Sequence, residues 1–237
     1  MSALLHIADL HKSFEGRKIL DGASLTLTKG SITLLTGDNG AGKTTLFNVI
    51  TGVEGADSGQ SVFNGTDISS MPPLRIAQLG IARLYQTPRL FKNLTAWENL
   101  ACAAHANAGT TVLNAVFRPR ISKAQDLALK ERALALLERF GLGAAAQTPV
   151  HELSFGQQKL VALCMLEMNG CQLVLLDEPL AGLAIGMVER VQHTIRQLQA
   201  TGKTFFIIEH DIERVAGLAH RQLRLEGGTL QELVPHG

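Results

Sequence analysis

With 237 residues, 46% of them hydrophobic, the chain is long enough for one large domain or for a core carrying a lobe. Its 22 Lys and Arg against 21 Asp and Glu leave a formal net charge of +1, so nothing global suits nucleic acid or anionic lipid, and any phosphate site must be local. Cys102, Cys164 and Cys171 form no C-x-x-C pair and are odd in number, which argues against a disulfide framework and for small buried hydrophobes in a reducing cytosol.

No uncharged apolar run approaches the length that crosses a bilayer, and "MSALLHIADLHK" lacks a signal-peptide pattern, so a soluble chain is expected. Alternation in "LLHIADL" and again in "ASLTLTKG" predicts strands, and the denser "SITLLT" predicts a buried strand that runs into Gly37. Beyond the glycines, "KTTLFNVITG" places Leu46, Val49 and Ile50 at helical spacing and stops at Gly52. The stretch "GDNGAGKTT" is therefore a strand-to-helix turn. "VEGADSGQSVFNGTDI" predicts a hairpin turning at Asn64-Gly65, "PPLRIAQLG" a short helix headed by prolines, and "IARLYQ" a return to strand.

From Leu94 to about Leu142 the pattern is helical. Ser122 caps a predicted helix whose Ala124, Leu127, Ala128, Leu134 and Leu137 share one face, which describes an inserted helical lobe. Within it "AGTTVLNAVFRPRIS" is a long, poorly patterned connection of the kind that is functional or mobile. The chain then alternates again. "LVLLD" and "TFFIIE" are short continuous apolar strands, and the helix between them carries Val188, Val191, Ile195 and Leu198 on one face. Continuous strands separated by helices predict an α/β fold with a parallel sheet covered on both sides. No repeat or low-complexity segment is evident.

Gly37, Gly42, Lys43 and Thr44 satisfy G-x-x-x-x-G-K-[ST], a phosphate loop in which backbone N–H groups curl round phosphate oxygens at a helix N-terminus. Lys43 reaches the β- and γ-phosphates in this reading and Thr44 places its hydroxyl on Mg²⁺. Thr45 and the loop residues Asn39, Gly40, Ala41 and Gly42 supply further contacts to the nucleotide. "LVLLDEP" ends a buried strand in two carboxylates: Asp177 suits a Mg²⁺ held through water, and Glu178 suits an attacking water beside the γ-phosphate. In "ELSFGQQK", Ser154 and Gly156 open a second helix, a second anion cradle in a chain with one obvious nucleotide site. Taken alone, that stretch is also an ordinary helix cap.

The phosphate loop at residue 37, a lone Gln86 after a strand, "LSFGQQ" at 153–158, "LVLLDEP" at 173–179 and "IIEHD" at 207–211 occur in that order. Together they resemble the nucleotide-binding subunit of an ABC transporter over nearly the whole chain. The resemblance implies a P-loop NTPase core of the ABC ATPase type with a parallel sheet, an N-terminal antiparallel β region and an inserted α-helical lobe. It divides the single domain into a core of residues 1–88 and 160–237 and a lobe of about 89–159. It further implies ATP and Mg²⁺ as cofactors, and three roles by position: Phe14 stacking on adenine, Gln86 touching metal and attacking water, and His210 contacting the γ-phosphate. Phe14 also reads as a core phenylalanine at a strand end. Ser154, Gly156 and Gln157 would close on the ATP of a second copy or homologous subunit, giving a sandwich dimer. Integral membrane permeases and a substrate-binding protein complete the implied assembly, at the cytoplasmic face of the inner or plasma membrane and without nucleic acid.

Phe155 stands where the commonest family pattern has glycine, and Ala184 where many relatives have aspartate. "LYQTPRLFKNLTAWENL" and the extended "VLNAVFRPRISKAQ" resemble the branched-chain amino acid importers in particular. An ATPase of this fold serving lipid export or another task, and a nucleotide-gated scaffold with weak turnover, stay open at this point.

Overall fold

The computed structural model describes residues 2–105, 119–215 and 217–233. Packing divides the chain into two units. One comprises Met1–Gln86, Cys171–Gly182 and Ile195–Gly237, the other Thr87–Gly170 and Leu183–Thr194.

In the first unit, β1 (Ala3–Phe14) and β2 (Arg17–Thr28) pair antiparallel, and β1 continues to β4 (Ser58–Phe63) and β5 (Thr66–Asp67), giving the order β2-β1-β4-β5. The expected hairpin closes at Asn64-Gly65, both with positive φ (48° and 81°), the conformation that the right-handed twist of paired strands favours. The second sheet has the order β10-β9-β3-β8-β7-β6. Here β3 (Ile32–Thr36), β6 (Ile81–Leu84), β7 (Leu173–Asp177), β8 (Thr204–Ile208) and β9 (Arg221–Glu226) run parallel to one another, and β10 (Thr229–Leu233) pairs antiparallel with β9. Every residue of β3 and β8 is buried, which is why their sequences read as continuous apolar runs and not as alternation.

The helix α1 (Lys43–Ile50) follows β3, and its Leu46, Phe47 and Ile50 are fully buried in one cluster with Leu35, Leu175, Phe206 and Ile208. The Phe47 and Phe206 rings meet at 5.2 Å between centroids. The short α2 (Pro73–Leu79) begins with proline at its first position, where the missing N–H costs nothing.

The second unit holds α3 (Ala96–His105), α4 (Pro119–Arg139), α5 (Phe155–Asn169) and the first part of α6 (Ile185–Ala200). A four-residue α7 (Ile212–Val215) belongs to the first. Val188, Val191, Ile195 and Leu198 of α6 are all buried, as their spacing requires. Two expectations for α4 need correction. Pro119 opens it, so Ser122 lies inside its first turn and is not its cap. Leu127 is 59% exposed and Ala128 is exposed as well, while Ala133, Leu136 and Leu137 are buried. Among the described side chains of α4, those of the later turns are the ones that pack on neighbours. Of the connection 108–122, residues 108–118 lie outside the described residues. The lobe boundary expected at 159/160 falls within α5, which runs unbroken to Asn169 because consecutive i→i−4 hydrogen bonds make one rigid rod. Residues 183–194 also join the second unit. Among the described residues no helix is long and apolar enough to cross a membrane.

Because Phe206 sits fully buried on β8 against Phe47, Phe206→Ala is expected to destabilise the first unit by about 3–5 kcal/mol. Urea unfolding followed by circular dichroism checks it; an unchanged midpoint would mean that α1 is not anchored through this pair.

Candidate functional site

The loop after β3 is shaped by backbone constraints before any side-chain chemistry. Gly42 has φ +103°, and a Cβ there would lie 2.8 Å from Ile19 Cγ2 and 3.1 Å from the Ile19 carbonyl oxygen. Gly37, at φ +147°, would bring a Cβ to 2.6 Å from the Leu225 carbonyl oxygen. Both positions therefore require glycine on conformation and on space. As N-cap of α1, Gly42 offers no side-chain hydrogen bond, and the first turn of the helix carries no acid. Among the described residues no side chain accepts a hydrogen bond from the N-terminal amides of this helix, the arrangement that suits an anion.

Lys43 is buried, and its Nζ donates to the carbonyl oxygens of Gly37 at 2.7 Å and Asp38 at 2.9 Å. Burial pushes its amine below the ordinary lysine range, while the carboxylates of Glu178, Asp38 and Asp177 pull the other way. Thr44 is exposed, and Thr45 and Ala41 are half-buried. Ala41 N–H donates back to the Asp38 carbonyl at 3.1 Å.

Asp177 ends β7, and the next residue, Glu178, has φ +47°, a left-handed conformation costing a carboxylate side chain about 1–3 kcal/mol. Its N–H bonds the Ile208 carbonyl at 3.0 Å, its own carbonyl accepts from Ala181 N–H at 3.2 Å, and buried Glu209 accepts the Leu180 N–H at 2.8 Å. These bonds hold the strained turn. Both Glu178 oxygens are engaged: Gln86 Nε2 donates to Oε2 at 3.1 Å, and His210 Nε2 lies 3.0 Å from Oε1.

A cavity of about 310 Å³ collects most of these groups. Phe14, Asn39, Gly40, Gly42, Lys43, Thr44, Thr45, Asp177, Glu178 and His210 line it, together with Ile19 and Ile208. Phe14 is 42% exposed, which excludes the core alternative, and the Lys12 ammonium lies 5.0 Å from its ring centroid. Gly37, Ala41 and Gln86 do not line this cavity; they stand behind it, Gly37 through its carbonyl on Lys43 and Gln86 through Glu178. The donor set fits a nucleoside triphosphate with a hard divalent cation: uncompensated helix amides and an ammonium for phosphate, and hydroxyl and carboxylate oxygens of Thr44 and Asp177 for the metal.

The second cradle belongs to the second unit and is built differently. Ser154 and Gln157 form a reciprocal capping box: the Ser154 hydroxyl oxygen accepts the Gln157 N–H at 3.3 Å, and Gln157 Oε1 accepts the Ser154 N–H at 3.0 Å. Gly156 is buried, and a Cβ there would sit 2.4 Å from Met187 Cγ, so a larger residue would have to displace the Met187 side chain. Phe155 is 38% exposed, with the Lys159 ammonium 5.0 Å from its ring. The Ala184 carbonyl accepts from Met187 and Val188 N–H at the head of α6.

Two supporting residues were not singled out from the sequence. Glu209 stands inside the quoted "IIEHD" and could have been marked as an acid adjoining a buried strand. Arg83 stands in "IARL", where a full charge on a short apolar strand was the available signal. Its side chain is 5% exposed and pairs with Asp177.

A phosphate loop between strand and helix, with strand-end acids from β7, one strand beyond β8 in the same parallel sheet, defines a P-loop nucleotide-binding protein of the α/β class. The ABC transporter family model matches residues 20–181, well over half of the 237, and the chain belongs to that family as an ATP-binding cassette ATPase. It is 36% identical to a probable branched-chain amino acid transport ATP-binding protein LivG of Methanocaldococcus jannaschii, over 97% of this chain and 89% of that one. With the high-affinity branched-chain amino acid transport ATP-binding protein LivG of Escherichia coli K12 it shares 32% identity, over 95% and 89% of the two chains. Among solved structures, the ADP conformation of an ATP-binding cassette of an ABC transporter superimposes with a TM-score of 0.83 at 34% identity, covering 98% of this chain and 90% of that one.

Gly42→Ala forces a left-handed alanine, about 1–2 kcal/mol of strain, and drives Cβ against Ile19. Nucleotide affinity is expected to fall about tenfold or more, measured by titration with a fluorescent ATP analogue. Parent-like affinity would mean that the loop does not bind in the conformation described.

Proposed function

We propose that this chain hydrolyses ATP to power a membrane importer of branched-chain or similar amino acids. In this reading it works with Mg²⁺, in a sandwich with a second copy or a homologous subunit, docked on permease subunits at the cytoplasmic face of the membrane and served by a substrate-binding protein. The observation that carries the ATPase reading is the convergence of Lys43, Thr44, Asp177, Glu178 and His210 on one cavity with Phe14 at its wall. The printed names of the relatives support the amino acid assignment.

The chemistry follows from what each group offers. Lys43 would exchange its two carbonyl acceptors for phosphate oxygens, gaining charge-assisted bonds. The loop amides and the dipole of α1 would add to that stabilisation. Thr44 and Asp177 would hold Mg²⁺, which when bound neutralises charge on the β- and γ-phosphate oxygens. Glu178 would orient and polarise water through the lone pairs that Gln86 and His210 leave on its two oxygens. Those two side chains thereby become the groups that position the carboxylate as well as the ones that would sense the γ-phosphate. Phe14 offers an exposed ring for the adenine. The Ser154 hydroxyl uses a lone pair for its cap and keeps its proton to donate to a facing phosphate.

Glu178→Gln retains shape and removes the basic oxygen, so Mg²⁺-dependent hydrolysis is expected to fall by about 10² or more while ATP remains bound. Phosphate release and filter binding on the same samples check this; equal turnover in parent and variant would support a non-hydrolysing scaffold. Ser154→Arg is expected to leave nucleotide binding by the monomer nearly intact and to block ATP-driven dimerisation, read by light scattering. Because it also removes the α5 cap, about 1 kcal/mol of stability should be lost, and thermal melting shows that the variant is folded. Dimerisation equal to the parent's would overturn the composite site.

A further inference from the structure

Arg83 is a nearly buried charge on β6, and the groups around it fix both of its terminal nitrogens. Its Nη2 donates to Asp177 Oδ2 at 2.9 Å and its Nη1 to Asn48 Oδ1 at 2.5 Å. The guanidinium carbon lies 4.7 Å from the Tyr85 ring centroid and 5.5 Å from that of Phe47. Asn48 is in turn fixed by donating from Nδ2 to Glu54 Oε1 at 2.9 Å. Two hydrogen bonds and two rings thus hold one cation among three elements of the first unit: α1 behind the phosphate loop, β6 leading to Gln86, and the end of β7.

The consequence falls on Asp177. The terminal torsion of an aspartate is broad and roughly two-fold, so an unrestrained carboxylate presents either oxygen. Arg83 takes Oδ2, and among the described residues none donates a hydrogen bond to Oδ1. Asp177 meanwhile lines the cavity next to Thr44. We propose that Arg83 is a positioning residue for the metal–nucleotide site: it clamps Oδ2 so that Oδ1 is the oxygen offered to the cation through water, and it ties that orientation to the strand carrying Gln86 three residues on. The inference rests on the reading of Asp177 as the cation-holding carboxylate.

Charge and orientation act in opposite directions here, which makes the clamp testable. A guanidinium close to a divalent cation weakens it by repulsion, whereas a fixed carboxylate strengthens it. Arg83→Lys keeps the positive charge but cannot make both bonds of the fork or stack between the rings. If orientation dominates, the full-length variant should bind Mn²⁺ about tenfold more weakly in the presence of ADP, measured by electron paramagnetic resonance, the usual loss when a group orienting a metal ligand is removed. Its affinity for nucleotide in EDTA should match the parent's. In an Asp177→Asn background, Arg83→Lys should add nothing to the metal defect, because the two residues act as one unit. Asn48→Ala, which frees the other side of the guanidinium, should weaken Mn²⁺ in the same direction by less, and it decides the matter if Arg83→Lys does not fold. Parent-like Mn²⁺ affinity in Arg83→Lys, a parallel loss of metal-free nucleotide binding, or additive defects with Asp177→Asn would each overturn the clamp while leaving the nucleotide site standing. A parent chain that binds no metal–nucleotide would overturn the site reading and this inference with it.

Discussion

Strands β3, β8, β7 and β6 lie side by side in parallel register, Leu34 opposite Ile207, Leu176 opposite Ile207, and Leu84 opposite Leu176, and the site depends on that alignment. Parallel strands in register end on the same edge. The phosphate loop leaves β3 there, Asp177 and Glu178 leave β7, Glu209 and His210 leave β8, and Gln86 follows β6. Residues more than 150 positions apart in sequence therefore meet over one cavity without any long side chain having to bridge the gap. The apolar price of this arrangement is a sheet buried on both faces, and the cluster around Leu35, Leu175, Phe206 and Ile208 supplies it.

On that edge the polar groups are already committed to one another. Lys43 is satisfied by two loop carbonyls, Glu178 by Gln86 and His210, and Asp177 by Arg83. A buried charge left unpaired is costly, so each of these pairings stabilises the edge as it stands. Binding of phosphate then becomes an exchange of partners. The strained backbone of Glu178 fits that picture, because the turn is held by two backbone hydrogen bonds and by one from Leu180 N–H to the Glu209 carboxylate, and not by the preference of Glu178 itself.

The two helix N-termini that look alike in sequence behave differently in structure. At Gly42 no side chain caps α1, and its amides are available to a ligand. At Ser154 the capping box satisfies the Ser154 and Gln157 N–H groups from within, and a Cβ at Gly156 would crowd the Met187 side chain. A phosphate at Ser154 would be met by one hydroxyl proton, the helix dipole and the first-turn N–H groups that the box does not use, without the buried ammonium that Lys43 adds at the phosphate loop. That asymmetry suits a surface that engages a nucleotide held mainly by another subunit.

The sequence by itself determined the P-loop, the strand-end acids, the parallel strands and the Asn64-Gly65 turn, because each follows from local rules: glycine at positive φ, continuous apolar runs, and spacing along a helix. The motifs in Lys43, Thr44, Asp177 and Glu178 and the family resemblance for Phe14 and His210 grouped six residues, and all six line one cavity. Local rules failed where an outcome depended on which surface was covered. Leu127 and Ala128 carry the right period yet stay exposed, Ser122 falls inside the helix that Pro119 opens, and α5 runs ten residues past the expected lobe boundary. Arg83 shows the limit most sharply. Nothing within "IARL" says that its charge will be taken up by Asp177, 94 residues later, and by Asn48, 35 residues earlier. Only the adjacency of β6, β7 and α1 in three dimensions decides that, because an ion pair is specified by distance in space and a sequence pattern reports only distance along the chain.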